Sequence, residues 1–271
     1  MLSSILAALQ FPDIDPIIFQ IGPLAIRWYA LAYIAGLMLG WKYIVRLVRR
    51  DGDGAAMSEI QVDDFLVWAT FGVVLGGRLG YVLFYKPGYY LENPADIIAV
   101  WQGGMSFHGG LLGVTAAMVL FSRKYSLSLL GVTDLISMAA PIGLFFGRLA
   151  NFINGELWGR TSDVAWAMAF PHGGPEPRHP SQIYESLLEG ALLFLVLWYL
   201  RNKTDKAGQP GFLTGVFIGG YGLARFVVEF YREPDAHLGF LFAGATMGQL
   251  LSLPLVLLGC WLALRTSARK A

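Results

Sequence analysis

Apolar residues in this chain come in runs long enough to cross a lipid bilayer. The hydrocarbon layer is about 30 Å thick, so roughly 20 mostly apolar residues in a helix make one crossing. Such runs lie near residues 21–43, 65–85, 97–121, 132–152, 183–200, 212–230 and 243–264. Backbone N–H and C=O groups in hydrocarbon must be paired within their own segment or in a closed barrel, and runs of this length point to helices. The expected fold class is therefore all-α, a polytopic membrane helix bundle of about seven transmembrane helices. Composition agrees, with 55% of the 271 residues hydrophobic and 14% charged, and a positive mean hydropathy. No repeat, low-complexity tract or heptad array divides the chain, so residues 1–271 read as a single integral membrane domain.

Basic residues set the expected orientation, because short cytoplasmic loops collect Lys and Arg. Arg46, Arg49 and Arg50 follow the first run, Arg123 and Lys124 the third, Arg201, Lys203 and Lys206 the fifth, and Arg265, Arg269 and Lys270 the seventh. The loops after runs two, four and six carry only Lys86, Arg160, Arg178 and Arg232. The N-terminus is thus expected outside and the C-terminus in the cytoplasm. The opening MLSSILAALQFPDID lacks the basic residues of a secretory leader, and the whole chain is read as mature protein. The longest segment between runs, 155–182, falls on the outer side and reads as a small periplasmic cap. A formal net charge of +1 suggests no nucleic-acid partner, and the single cysteine, Cys260, has no second thiol with which to pair.

Ionisable groups at membrane depth are costly and are functional candidates by default. Lys42 can snorkel to the interface. Arg27, Arg78, Arg148 and Arg225 all fall toward the outer ends of their runs, as do His108 in GGMSFHGG, Asn151 and Glu156 in GRLANFINGELWG, Glu185, Glu189 and Glu229. Guanidinium groups converging from separate helices suit a phosphate, since each offers a planar fork of donors. The outer-leaflet anion of that chemistry is a phospholipid headgroup. A second reading stands beside it for Arg225 and Glu229, whose i,i+4 spacing allows a structural ion pair. Snorkelling is an alternative for Arg78, and a satisfied structural histidine is an alternative for His108. Asn154 and Gly155 can end a helix by C-capping. Tyr29 and Tyr221 can bind a ligand or sit in the interfacial aromatic belt.

No HExxH, GxSxG, Walker A loop or Cys/His cluster is present, and His172 and His179 are too loosely spaced to suggest a zinc site. No cofactor or metal is expected. Nor does any Ser or Cys with a neighbouring base point to a covalent enzyme intermediate.

The string 147–159, GRLANFINGELWG, together with GGMSFHGG and RHPSQIYE, resembles the prolipoprotein diacylglyceryl transferase family. The likeness extends over nearly the whole chain, from FPDIDPIIFQIGPLAIRWY through YGLARFVVEFYREPD to MGQLLSLP. The family signature falls on Gly147, Arg148, Asn151, Phe152, Asn154, Glu156 and Gly159. The resemblance implies transfer of diacylglyceryl from phosphatidylglycerol to the lipobox cysteine thiol of a preprolipoprotein in the bacterial inner membrane. A thioether forms and glycerol phosphate leaves. It further implies that Arg148 and Arg225 hold the phosphate and that His108 and Tyr221 act near the reacting centre. Tyr29, Asn151, Asn154, Glu156, Gly159, Glu229 and Arg78 are expected to contribute to substrate binding. The cap is shorter than the long version of some members. Two rival classes are a lipid transporter, which needs polar groups at both membrane depths, and a structural membrane protein, which needs no convergence of charge.

Overall fold

The computed structural model describes residues 9–12, 14–22, 24–234, 239–241 and 244–268, so Arg269 and Lys270, counted above as cytoplasmic, lie outside the described residues. The chain divides into two compact units, Met1–Lys42 with Ile136–Ala271, and Tyr43–Leu135. The major helices are α1 (Trp28–Asp51), α2 (Glu59–Phe84), the short α3 (Pro87–Glu92), α4 (Phe107–Lys124), α5 (Leu129–Ile153), α6 (Ser181–Lys203), α7 (Phe212–Val228) and α8 (Met247–Ala268). Five, α1, α2, α5, α6 and α8, are long and apolar enough to cross a membrane by length and composition. α7 is apolar but shorter. The expected run 97–121 yields a helix only from Phe107, because Gly103 and Gly104 take φ of 84° and 78° and residues before them form single turns. Left-handed glycines stop a helix at no steric cost.

Within Tyr43–Leu135, α2 opens on a reciprocal cap: the Ser58 hydroxyl accepts from Gln61 N–H at 3.3 Å, and Ser58 N–H donates to Gln61 Oε1 at 2.8 Å. α2 and α4 meet through Gly72, Gly76 and Gly80 against Gly109 and Gly113. A Cβ at Gly113 would lie 1.9 Å from the Gly72 carbonyl oxygen, and one at Gly76 2.4 Å from that of Gly109. Lipid tails offer no hydrophobic drive for helices to associate, so close backbone contact through small residues does that task. Phe65 and Trp68 pack their rings edge-on to the buried Phe121 at the far end of the same seam.

The unit Met1–Lys42 with Ile136–Ala271 uses the same device. Gly36 abuts Gly143, Gly190 abuts the Phe145 backbone, and Gly215 and Gly219 face Gly259. A hairpin of β2 (Ile17–Ile21) and β3 (Leu24–Arg27) leads into α1, and β1 (Leu9–Gln10) pairs in parallel with β4 (Met168–Ala169). The helical expectation thus acquires short strands, which belong to the segments outside the long apolar helices. Residues 159–179 are tied to one another and to the end of α7 by bridges Gly159 to Arg232, Thr161 to Arg178 and Met168 to Arg178. Phe11, Phe152 and Phe170 pack beneath them.

Candidate active site

The end of α5, the start of α6 and the end of α7 bring three arginines and three glutamates into one buried cluster. On α6, Glu185 and Glu189 are four residues apart and both fully buried; between and beyond them the helix widens into a π-turn over Ser186–Leu192. Such widened turns are frequent at functional sites. Tyr221 and Arg225 on α7, and Glu229 immediately after its last residue, recur every four residues and so share one face.

The pairing is specific. Arg225 contacts Glu185 Oε1 through Nη1 and Glu229 Oε1 through Nη2. Arg232, just past α7, reaches Glu185 Oε1 at 3.0 Å. Arg148 is held more loosely, with Nε 3.2 Å from Glu185 Oε2 and Nη2 3.4 Å from Glu189 Oε2. Glu185 Oε2 is within ion-pair distance of Arg148 but outside hydrogen-bonding geometry, and Glu189 Oε1 has no hydrogen-bond partner among the described residues. Glu229 Oε2 accepts from the Thr246 hydroxyl at 2.6 Å, and a Cβ at Gly248 would press on the same carboxylate at 2.4 Å. The Tyr221 hydroxyl feels the charges of Glu189, Arg148, Arg225 and Glu185. Tyr221 stands one turn before Arg225 on the same face of α7.

Beside this cluster, α5 ends in a Schellman motif. Gly155, at φ 63°, donates to Phe152 O at 2.9 Å, and Glu156 N–H donates to Asn151 O at 3.1 Å. The capping reading of Asn154–Gly155 holds, and more is built on it. Asn151 Nδ2 and Asn154 Nδ2 both donate to Glu156 Oε1, at 2.8 and 3.3 Å. Gln182 Nε2 donates to the Glu156 carbonyl at 2.6 Å. Leu157 follows in the left-handed region at φ 59°. Gly159 has no room for a side chain, since a Cβ would lie 2.4 Å from Tyr231 O and 2.7 Å from His179 Cβ. Tyr29 pairs its hydroxyl with that of Tyr33 at 3.2 Å and feels the charges of Glu156 and Arg148.

His108 and Arg78 belong to the other unit. His108 is exposed in the first turn of α4, its ring edge-on to Phe107, with no hydrogen bond to the described residues. The satisfied structural histidine weighed from sequence is not what the fold provides. Arg78 is buried, and its guanidinium donates to the carbonyls of Ile97 at 2.8 Å, Gly104 at 3.2 Å, Gly103 and Asp96, with Tyr90 beneath it. Four of its five N–H groups are thereby occupied. It clamps the loop that leads to Ser106, whose hydroxyl caps α4 at Gly109 N–H.

Sequence reading left Glu185 and Glu189 without a role and counted Arg232 as a loop cation. Their separations of more than 35 residues from Arg225 and Arg148 carry no spacing signal. The one available clue was that carboxylates at membrane depth need cations.

The profile of the prolipoprotein diacylglyceryl transferase family matches residues 16–265. Proteins named phosphatidylglycerol–prolipoprotein diacylglyceryl transferase from Paramagnetospirillum magneticum, Azospirillum brasilense and Rhodospirillum rubrum are similar to this chain. The first is 66% identical over 268 residues, covering 97% of this chain and 99% of the relative. The second is 58% identical over 97% of this chain and 98% of the relative, the third 59% over 94% and 93%. The chain belongs to the prolipoprotein diacylglyceryl transferase family.

Proposed function

We propose that this chain transfers the diacylglyceryl group of phosphatidylglycerol to the lipobox cysteine thiol of a preprolipoprotein, the first step of bacterial lipoprotein maturation. The observation that carries the reading is the buried arginine cluster on helices of a membrane protein of this family. The reaction joins the thiol sulfur to the terminal glycerol carbon of the diacylglyceryl group. It breaks that carbon's bond to phosphate oxygen, so glycerol phosphate leaves with the bonding electrons. The nucleophile is the substrate's, and the enzyme needs no cysteine of its own.

Arg148 and Arg225 stabilise the phosphate as its charge grows, in a low-dielectric site where such donors act strongly. Tyr221, beside both, has a hydroxyl without a hydrogen-bond partner among the described residues and orients the headgroup. Asn151, Asn154 and Glu156 form a polar wall at the same helix end, with Tyr29 facing it. Gly159 and Glu229 serve by close packing and by holding Arg225. His108, exposed and with no hydrogen bond to the described residues, takes the thiol proton. Arg78 acts through the loop it clamps.

In the membrane the chain makes seven crossings, α4 and α7 completing the five longer ones. The N-terminus and the active site face the periplasm and the C-terminus faces the cytoplasm, a reading supported by the distribution of Lys and Arg. The localisation is the inner membrane, and the partners are the bilayer, phosphatidylglycerol and the preprolipoprotein.

The test is to incubate purified protein with phosphatidylglycerol and a lipobox peptide, following peptide mass and glycerol phosphate release. A diacylglyceryl mass increment that disappears when the peptide cysteine becomes serine is expected. Lipid left intact, with active membranes as a working control, overturns the reading. Arg148→Lys should cost roughly 10²-fold or more in turnover, because a point charge cannot reproduce the fork.

A further inference from the structure

The arginine cluster is electrically full. Arg148, Arg225 and Arg232 balance Glu185, Glu189 and Glu229 when all six are ionised. An entering phosphodiester adds a negative charge at a place with little water to screen it, and a like charge close by disfavours every neighbouring carboxylate. The three carboxylates are not equally able to resist. Glu185 uses one oxygen for Arg225 and Arg232 and turns the other toward Arg148. Glu229 pairs with Arg225 and accepts from Thr246. Glu189 is fully buried, and its one cationic contact among the described residues is Arg148 at 3.4 Å, through Oε2. Its Oε1 has no hydrogen-bond partner among the described residues. Arg148 makes no contact in the cluster closer than 3.2 Å, whereas Arg225 and Arg232 each hold Glu185 Oε1 at 3.0 Å or less, so Arg148 is the guanidinium that a phosphate can claim with least loss.

We propose that Glu189 is a proton-linked gate on lipid binding: a phosphodiester headgroup replaces its carboxylate as the partner of Arg148, and Glu189 takes up one proton from solvent. The inference rests on the functional reading above, since it names what must happen in that site when phosphatidylglycerol enters. Neutral Glu189 restores the charge balance of the cluster. It also turns a competing acceptor into an O–H donor beside the phosphate, where negative charge rises as the carbon–oxygen bond breaks. The ionisable groups bearing on Glu189 are Arg148 from α5, Glu185 from its own helix, and Arg225 and Tyr221 from α7.

Calorimetric titration of the purified full-length protein with phosphatidylglycerol tests this, repeated in buffers of different ionisation heat. The expected result is uptake of about one proton per lipid bound, with affinity falling on the order of tenfold per pH unit where Glu189 is ionised in the free protein. Uncharged diacylglycerol should bind without uptake. Glu189→Gln, which mimics the neutral acid, should bind lipid at least as tightly, with no uptake and a flat pH dependence. Glu185→Gln should weaken binding and keep the uptake.

Zero uptake by the wild type overturns the proposal, as does unchanged uptake in Glu189→Gln. Should Glu189→Gln not fold, loss of the uptake in Glu185→Gln overturns the assignment to Glu189, and retention supports it. Lipid consumed without proton uptake removes this inference alone. Lipid neither bound nor consumed removes the functional reading and this inference with it.

Discussion

Replacing Arg225 by Gln separates its two roles. The substitution removes the cation between Glu185 and Glu229, which are buried. Breaking a buried ion pair by removing one partner costs roughly 3–5 kcal/mol, most of it the penalty of the stranded charge. The structure argues for the lower end, about 3 kcal/mol. Glu185 keeps Arg232 at 3.0 Å and Arg148 at 3.2 Å, and Glu229 keeps the Thr246 hydroxyl at 2.6 Å. Turnover should fall by roughly 10²–10³, as when one donor to a developing oxyanion is lost. The decisive variant is the double Arg225→Gln/Glu229→Gln, which removes the stranded carboxylate as well. Its thermal midpoint in detergent should recover part of the loss, while its turnover with phosphatidylglycerol and a lipobox peptide should not. Contacting residues are coupled, and the double-mutant cycle measures that coupling for stability and activity separately. If the double variant recovers activity along with stability, Arg225 is a helix-bundling cation and the phosphate assignment is refuted.

Three other outcomes are expected. Gly113→Ala should destabilise α2 against α4 by about 1–3 kcal/mol, since its methyl would meet the Gly72 carbonyl; an unchanged melting midpoint would show that the two helices can part at no cost. Arg78→Lys cannot make the four carbonyl bonds of the clamp. Stability should fall by roughly 1.5–3 kcal/mol, and turnover should fall more than lipid affinity; a pure affinity defect would restore Arg78 to the lipid site. Between α5 and α6, burial holds His179 below the ordinary histidine range, its Nδ1 lies 3.0 Å from the Tyr184 hydroxyl, and that hydroxyl accepts from Trp166 Nε1. A depressed base binds fewer protons folded than unfolded. Its contribution is therefore complete above a pH of about 6.5 and is lost as pH falls through the lowered value. Thermal melts should show the wild type losing stability relative to His179→Gln on acidification, and parallel curves would exclude the effect.

Much of the architecture was legible in the residues because membrane helices carry their own signal: a long apolar run must pair its backbone internally wherever it lies. The motif 147–159 was equally legible, and its helix end follows from Asn154 and Gly155 alone. The start of α4 was placed too early, because Gly103 and Gly104 break the helix inside an otherwise apolar run. Spacing along α7 offered the Arg225–Glu229 pair as an alternative to phosphate binding, and the pair is present.

What tertiary structure alone decided is the company each charge keeps. Glu185 and Glu189 stand more than 35 residues from the arginines they meet, and no periodicity encodes which helices pack together. Arg78 and Arg148 look alike as single arginines in apolar runs. One spends its donors on backbone carbonyls, while the other rests on two carboxylates at 3.2 and 3.4 Å. That difference lies in the partners the fold supplies. Sequence determined which segments are apolar enough to enter a membrane and which ionisable groups they carry, because hydropathy is a property of each segment. Which of those groups neutralise one another depends on distances between segments, and only the folded helices set those distances.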